Sequence, residues 1–180
     1  MRPLLVLELG RTRYREALAL QEDIARALRE GICSVDRLLV TEHEPVFTIG
    51  KNGRRENLLV TPEALAADGI EVVPITRGGD ITFHGPGQLV LYPLLNLKAL
   101  GLGVREYVHK LEAVMLATAR TLGVAADRDA RNAGIWAGDV KLGSIGIAVI
   151  RGITMHGLAL NVTTDLTPFA RVNPCGMPGV

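Results

Sequence analysis

The chain is poor in several features, and each shortage excludes a class of function. Its 180 residues hold two cysteines, Cys33 and Cys175, far apart and in no CxxC spacing. That argues against a disulfide framework or a zinc ribbon. The four histidines are scattered along the sequence, so no bound metal is expected. The formal net charge is +1 and no block of basic residues occurs. Nucleic acid is therefore not the expected partner, because phosphate binding needs a concentrated cationic surface. No apolar run approaches membrane-spanning length, and no membrane partner is expected. The opening MRPLLVLELG carries a glutamate inside a short apolar run and lacks a cleavage-site pattern. It reads as a first strand rather than a signal peptide, with a reducing cytoplasmic setting as the expectation. There is no P-loop for nucleotide phosphates, no internal repeat and no low-complexity tract.

What remains is an ordinary globular composition, 48% hydrophobic and 22% charged. That supports one real core, and the length suits a single domain over residues 1–180 rather than two. Residues 4–9 read as a strand. Thr12 is placed to cap a helix over 14–29, with Tyr14, Leu18, Gln21, Ile24 and Leu28 on one side and Gly31 ending it. Cys33 follows, with neighbours that suit a small buried hydrophobe. Strands are expected at 37–41 and 46–49, with His43 between two acids reading first as a surface residue. The loop at 50–57 carries Lys51, Arg54 and Arg55, either simply solvated or able to steer an acidic protein partner. Thr61-Pro62-Glu63 is a helix start, and 70–75 is a strand.

Further on, a long helix is expected over 104–122, with Val104, Val108, Leu111, Met115, Thr118 and Leu122 forming its apolar stripe and His109 off it. Residues 134–137, 140–150 and 153–162 read as strands joined by the tight dipeptides Gly138-Asp139 and Arg151-Gly152. Such short connections require antiparallel pairing. The fold class is α+β, a mixed and largely antiparallel sheet with packed helices, not a doubly wound one.

Two places carry candidate chemistry. The stretch 77–92, RGGDITFHGPGQLVLY, sets glycines beside Arg77, Thr82, His84 and Gln88. A glycine-rich hairpin accounts for the glycines and not for the polar residues, so the stretch is read as a binding wall. The second is Asn173-Pro174-Cys175-Gly176, where a turn exposes a thiol, the first requirement for reactivity. On residues alone Cys175 is either structural or a nucleophile. Lys141, one of only four lysines, reads first as a solvent-facing residue at a strand start. A lysine held near a thiol would stabilise its thiolate.

RGGDITFHGPGQLVLY, KLGSIG, HGLALNV and NPCG, in that order, with TEHEPVFTIG upstream, resemble the lipoyl(octanoyl) transferases from about Thr41 to the end. The resemblance implies the fold of the biotin and lipoate protein ligase catalytic domains. It also implies transfer of an octanoyl group from octanoyl-acyl carrier protein to a lysine of lipoyl domains, those of 2-oxoacid dehydrogenase complexes and the glycine cleavage H protein. Cys175 would form an acyl-thioester and Lys141 would lower its pKa and move its proton. No cofactor, ATP or metal is implied beyond the phosphopantetheine of the carrier. The substrate residues carried over are Arg77, Gly78, Gly79, Asp80, Ile81, Thr82, Phe83 and His84, then Ser144, Ile145 and Gly146, then Gly157, Leu158 and Ala159. His43, Tyr92 and His156 are further lining candidates. Glycines 78, 79, 143, 146 and 157 are expected to leave bare backbone for the acyl chain. The chain stops five residues after Cys175, where the family continues, so either a C-terminal tail is missing or this member is short. An ATP-dependent lipoate or biotin ligase and a non-catalytic carrier-docking module are the rival readings.

Overall fold

The structure is a computed structural model that describes residues 3–173, and Cys175 lies outside the described residues. Among these residues nine strands make two sheets. The larger has the order β1-β2-β6-β9-β8-β7 and the smaller β4-β3-β5. In these, β1 is Leu4–Thr12, β2 Asp36–His43, β3 Val46–Ile49, β4 Glu71–Pro74 and β5 Ile81–His84. The rest are β6 Gln88–Leu94, β7 Gly134–Ala137, β8 Val140–Ile150 and β9 Ile153–Asn161. Only β1/β2 and β3/β4 pair in parallel, and the other ladders are antiparallel. The α+β reading holds.

Helices α1 (Tyr14–Arg29), α2 (Pro62–Ala67), α3 (Leu97–Leu100) and α4 (Val104–Thr121) complete the described fold. The first joins the parallel pair β1 and β2, as a parallel crossover requires. Alternation along the strands divides the large sheet's two faces. Ile153, Met155 and Ala159 of β9 join the cluster under α1 with Val90, Tyr92 and Leu94. Leu158 and Leu160 join the cluster under α3 and α4 with Tyr107, Leu111 and Met115. Burying each such side chain contributes roughly 1.5–3 kcal/mol, so the sheet centre, where both faces are covered, is the most firmly held region.

Several local expectations change. Thr12 ends β1 instead of capping α1, and its hydroxyl bonds Thr41 and His43; Arg13 holds the cap position without a side-chain bond. The buried stripe of α4 runs through Tyr107, Leu111, Met115 and Ala119, while Val104 and Leu122 are exposed. Buried Glu112 shares that face because Arg128 and the Gly134 N–H satisfy its carboxylate. Cys33 is half-buried, and its sulfur accepts from the Arg37 guanidinium at 3.3 Å, so it is not a plain hydrophobe. The stretch 77–92 is no hairpin: β5 pairs with β3 in the small sheet and β6 pairs with β2 and β9 in the large one. Gly85 to Gly87 is a crossing between sheets.

Candidate active site

Beyond that crossing, residues of the small sheet and of β6, β8 and β9 line one open cavity of about 900 Å³. Ser144, Ile145 and Gly146 of β8 are the cross-strand partners of Ala159, Leu158 and Gly157 of β9, residue for residue. The Arg77–Asp80 loop is fastened over them, with the Gly78 N–H donated to the Ile147 carbonyl at 2.9 Å. All three segments line the cavity, together with Ile81, Thr82 and His84. Phe83 is the exception. It points to the other side of β5 and packs with Phe47 and Phe169, centroids 5.2 and 5.7 Å away.

Three of the glycines, Gly143, Gly146 and Gly157, have a different reason from the one expected. A Cβ on Gly157 would lie 2.1 Å from the Leu91 carbonyl oxygen, and one on Gly143 would lie 2.1 Å from Met115. On Gly146 it would meet the Arg77 side chain at 2.8 Å. These residues are small so that β6, α4 and Arg77 can approach, and the space they leave is filled by protein rather than by ligand. Gly78 has only the Ile147 carbonyl within 4 Å of such a Cβ, and Gly79 has φ +81°.

Arg77 is buried under Gly146. Its Nη2 donates to the Thr48 carbonyl at 2.8 Å and hydroxyl at 2.9 Å, and Nη1 donates to Gly78 O at 3.0 Å. Asp80 accepts from the Asn57 amide. Behind them Tyr14, His43, His84, Tyr92 and His156 form an aromatic floor. Tyr14 stacks on His84 at 6.0 Å and tilts against His43 at 5.1 Å. Tyr14, His84, Tyr92 and His156 face the cavity, and His43 sits one layer back.

Their hydrogen bonds fix tautomers. The Gln88 amide nitrogen donates to the Phe83 carbonyl at 3.3 Å and to Asn161 Oδ1 at 2.8 Å. Its oxygen therefore faces His84 Nδ1 at 2.6 Å, and only a protonated Nδ1 can donate there. His84 thus carries its lone pair on Nε2. His43 Nδ1 donates to the Thr12 carbonyl at 3.3 Å, so its Nε2 accepts from the Tyr92 hydroxyl at 2.7 Å. The surface role first read for His43 is overturned, since Tyr92 and Thr12 satisfy both nitrogens in the interior.

Burial disfavours the charged ring in all three histidines. It pushes His43 and His156 down to about 4. His84 goes to about 3, by burial first and then by the charge of His43, with Arg77 and His156 adding to it. Burial also holds the Tyr14 and Tyr92 hydroxyls well above their ordinary value. The floor is neutral at physiological pH. His156 has a left-handed backbone, φ +56°, an uncommon and costly conformation without glycine. It is offset by a bond from the His156 N–H to Gln21 Oε1 at 2.8 Å, and the ring comes within 3.5 Å of the Tyr14 hydroxyl.

The lysine corner lies at another side of the cavity. Lys141 is half-buried near the start of β8 and lines the cavity with Asn132 and Ala133. Its ammonium donates to Asn132 Oδ1 and lies 5.3 Å from the centre of the Trp136 ring. The solvent-facing reading of Lys141 is thereby replaced. Val172 and Asn173 line the same cavity and are the last described residues before Pro174 and Cys175. Sequence reasoning missed Tyr14, Asn161 and Asn132 as cavity residues. For Tyr14 there was a signal, because it opens a helical stripe that also holds the polar Gln21. Asn132, in a polar loop, offered none. Among the described residues no group of three or more His, Cys, Asp and Glu could hold a metal ion, and no helix is long and apolar enough to cross a membrane.

Comparison with known proteins gives a consistent picture. The chain is 48% identical over 177 residues to the octanoyltransferase of Desulfotalea psychrophila, covering 97% of this chain and 79% of that protein. It is 46% identical over 174 residues to the octanoyltransferase of Geobacter metallireducens, covering 97% and 78%. Among solved structures, a lipoate-protein ligase A bound with ATP superposes with TM-score 0.76 at 21% identity, over 95% of this chain and 70% of that one. A putative lipoate protein ligase from T. acidophilum with bound lipoic acid gives 0.72 at 21%, over 95% and 72%. These two share the fold. The family model described as lipoyl protein ligase A/B catalytic domain matches residues 13–179, and the chain belongs to that family.

Proposed function

We propose that this chain is an octanoyltransferase of protein lipoylation that works through Cys175 and Lys141. The observation that carries the reading is the convergence of the 77–82, 144–146 and 157–159 segments with Lys141 on one cavity. Its relatives, at 43–48% identity, are octanoyltransferases. The chain reaches the cavity at Asn173, two positions before the cysteine in sequence.

The Cys175 thiolate attacks the carbonyl of octanoyl-acyl carrier protein, the donor C–S bond breaks, and the leaving phosphopantetheine sulfur takes a proton from the Lys141 ammonium. The neutral Lys141 then accepts a proton from the attacking amine of a lipoyl-domain lysine as the amide forms and Cys175 leaves as thiolate. Thioester to thioester is nearly balanced and thioester to amide runs downhill, so neither ATP nor a metal is used. The apolar wall of Ile145, Ile147 and Leu158 takes the octanoyl chain. Acceptors are lipoyl domains of 2-oxoacid dehydrogenases and the glycine cleavage H protein, in the cytoplasm.

The test is intact-mass measurement after mixing the protein with octanoyl-acyl carrier protein in the absence of ATP. One octanoyl group is gained, it is released by hydroxylamine, and Cys175→Ser does not gain it. An unmodified mass at saturating donor, or acylation only when ATP and free octanoate are supplied, overturns the reading.

A further inference from the structure

Lys141 is bonded from the loop that precedes β7 and that also lines the cavity through Asn132 and Ala133. The loop is closed at its base by paired backbone bonds between Asp127 and Trp136, both 2.8 Å. Buried Glu112 of α4 clamps its two sides, accepting from Arg128 Nε at 2.8 Å and from the Gly134 N–H at 3.3 Å. Arg131 is fixed by Asp129 through Nε at 2.9 Å and Nη2 at 2.8 Å, and its guanidinium lies 4.0 Å over the Trp136 ring. Between these fixed points Asn132 turns its carbonyl oxygen to the Lys141 ammonium.

We infer that Asn132 is a positioning residue for Lys141, a neutral acceptor that orients the ammonium without neutralising it. This rests on the Cys175–Lys141 reading above. A long lysine side chain left alone samples many rotamers, and ordering it carries an entropic cost. A carboxylate at position 132 would order it equally well, yet it would pair with the ammonium and compete with the thiolate the lysine is meant to stabilise. An amide oxygen orders it and leaves the charge available. Among the described residues the nearby carboxylates have other partners: Asp129 and Asp139 pair with Arg131, and Glu112 with Arg128.

The experiment reads the pH midpoint of Cys175 alkylation by iodoacetamide, resolved by peptide mass spectrometry in the full chain. Cys33 serves as the internal reference. Lys141→Ala is the control for the underlying pair and raises the Cys175 midpoint towards that of an ordinary thiol. Asn132→Ala raises it by about half a pH unit. Asn132→Asp, which keeps size and ordering, raises it further, by about one unit, because the added carboxylate takes the ammonium and repels the thiolate. The Cys33 profile stays unchanged in every variant that keeps the fold. If Lys141→Ala shifts the Cys175 midpoint while both Asn132 variants match the parent, the role of Asn132 is overturned and the pair stands. If Lys141→Ala leaves it unmoved, the pair falls and this inference with it. A downward shift in Asn132→Asp also overturns the inference.

Discussion

The floor of the cavity and its lysine corner are built on opposite principles. The floor sets three histidines and two tyrosines in the interior, tied to strands of both sheets or to α1, with its imidazoles neutral. The corner sets a half-buried ammonium on an amide oxygen and an indole face, carried by one loop and one hairpin. The floor therefore depends on the whole fold, and the fold depends on it. The corner can be altered with little cost to the rest. In the proposed mechanism, fixed shape and proton movement fall in different places.

Acid should reveal the floor first. A histidine at about 4 in the folded chain and 6.5 unfolded contributes stability that is complete above about pH 6.5 and is lost as pH falls towards 4. The unfolded chain binds the protons, so stability rises with pH across this window; for His84 the loss continues towards 3. Taken together, the three lose about 5 kcal/mol between pH 7 and 5, a large share of a typical domain's stability. Urea melts at the two pH values measure this. Equal midpoints would mean that the histidines are solvated in the folded protein, and the contrast with the corner would collapse.

Lys141→Ala should do the reverse, harming chemistry and sparing the fold. Acylation of Cys175 at neutral pH falls by about 1,000-fold, equivalent to about 4 kcal/mol of barrier, and recovers partly as pH rises and the thiol ionises unaided. The unfolding free energy from urea melts stays within about 1 kcal/mol of the parent, the scale of losing a hydrogen bond and an indole contact at a half-buried site. Stopped-flow acylation across pH 6 to 9 decides it; a rate deficit that is the same at every pH removes the lysine from proton transfer.

Two glycines sharpen the same contrast at smaller scale. Gly157→Ala drives a Cβ into the Leu91 carbonyl oxygen, a backbone atom that cannot step aside, and costs about 3 kcal/mol. Gly138→Ala, in the turn between β7 and β8, meets nothing within 4 Å and strains only its φ of +57°. That costs about 1 kcal/mol. Equal losses in paired urea melts would show that the floor is no more tightly packed than the hairpin.

Much of this was legible in the sequence, because period and punctuation are local. The long helices and the last three strands fall within a residue or so of their expected bounds, with Gly138-Asp139 and Arg151-Gly152 as the turns. The three segments expected to bind substrate came from motif resemblance, and the structure brings them onto one cavity. What was not legible depends on partners distant in sequence. Nothing around Gly85-Pro86-Gly87 says that the next strand joins a different sheet. His43 looks like a surface residue until Tyr92 and Thr12 are known to satisfy it. Gly143, Gly146 and Gly157 were marked as unusual, but protein rather than ligand fills the space beside them. Asn132 had no pattern at all, since its meaning is a single contact across nine positions.

The left-handed residue in β9 has one more consequence. Pairing between β6 and β9 runs from Gln88↔Asn161 to Leu91↔Leu158 and is resumed only at the isolated bridge Asn96↔Ile153. Within that gap the His156 amide is held by the Gln21 side chain of α1 rather than by a neighbouring strand. Its exchange with deuterium therefore follows the lifting of α1, whereas the amides at the start of β6 follow the opening of the sheet. One backbone proton beneath the cavity reports on a helix it does not belong to.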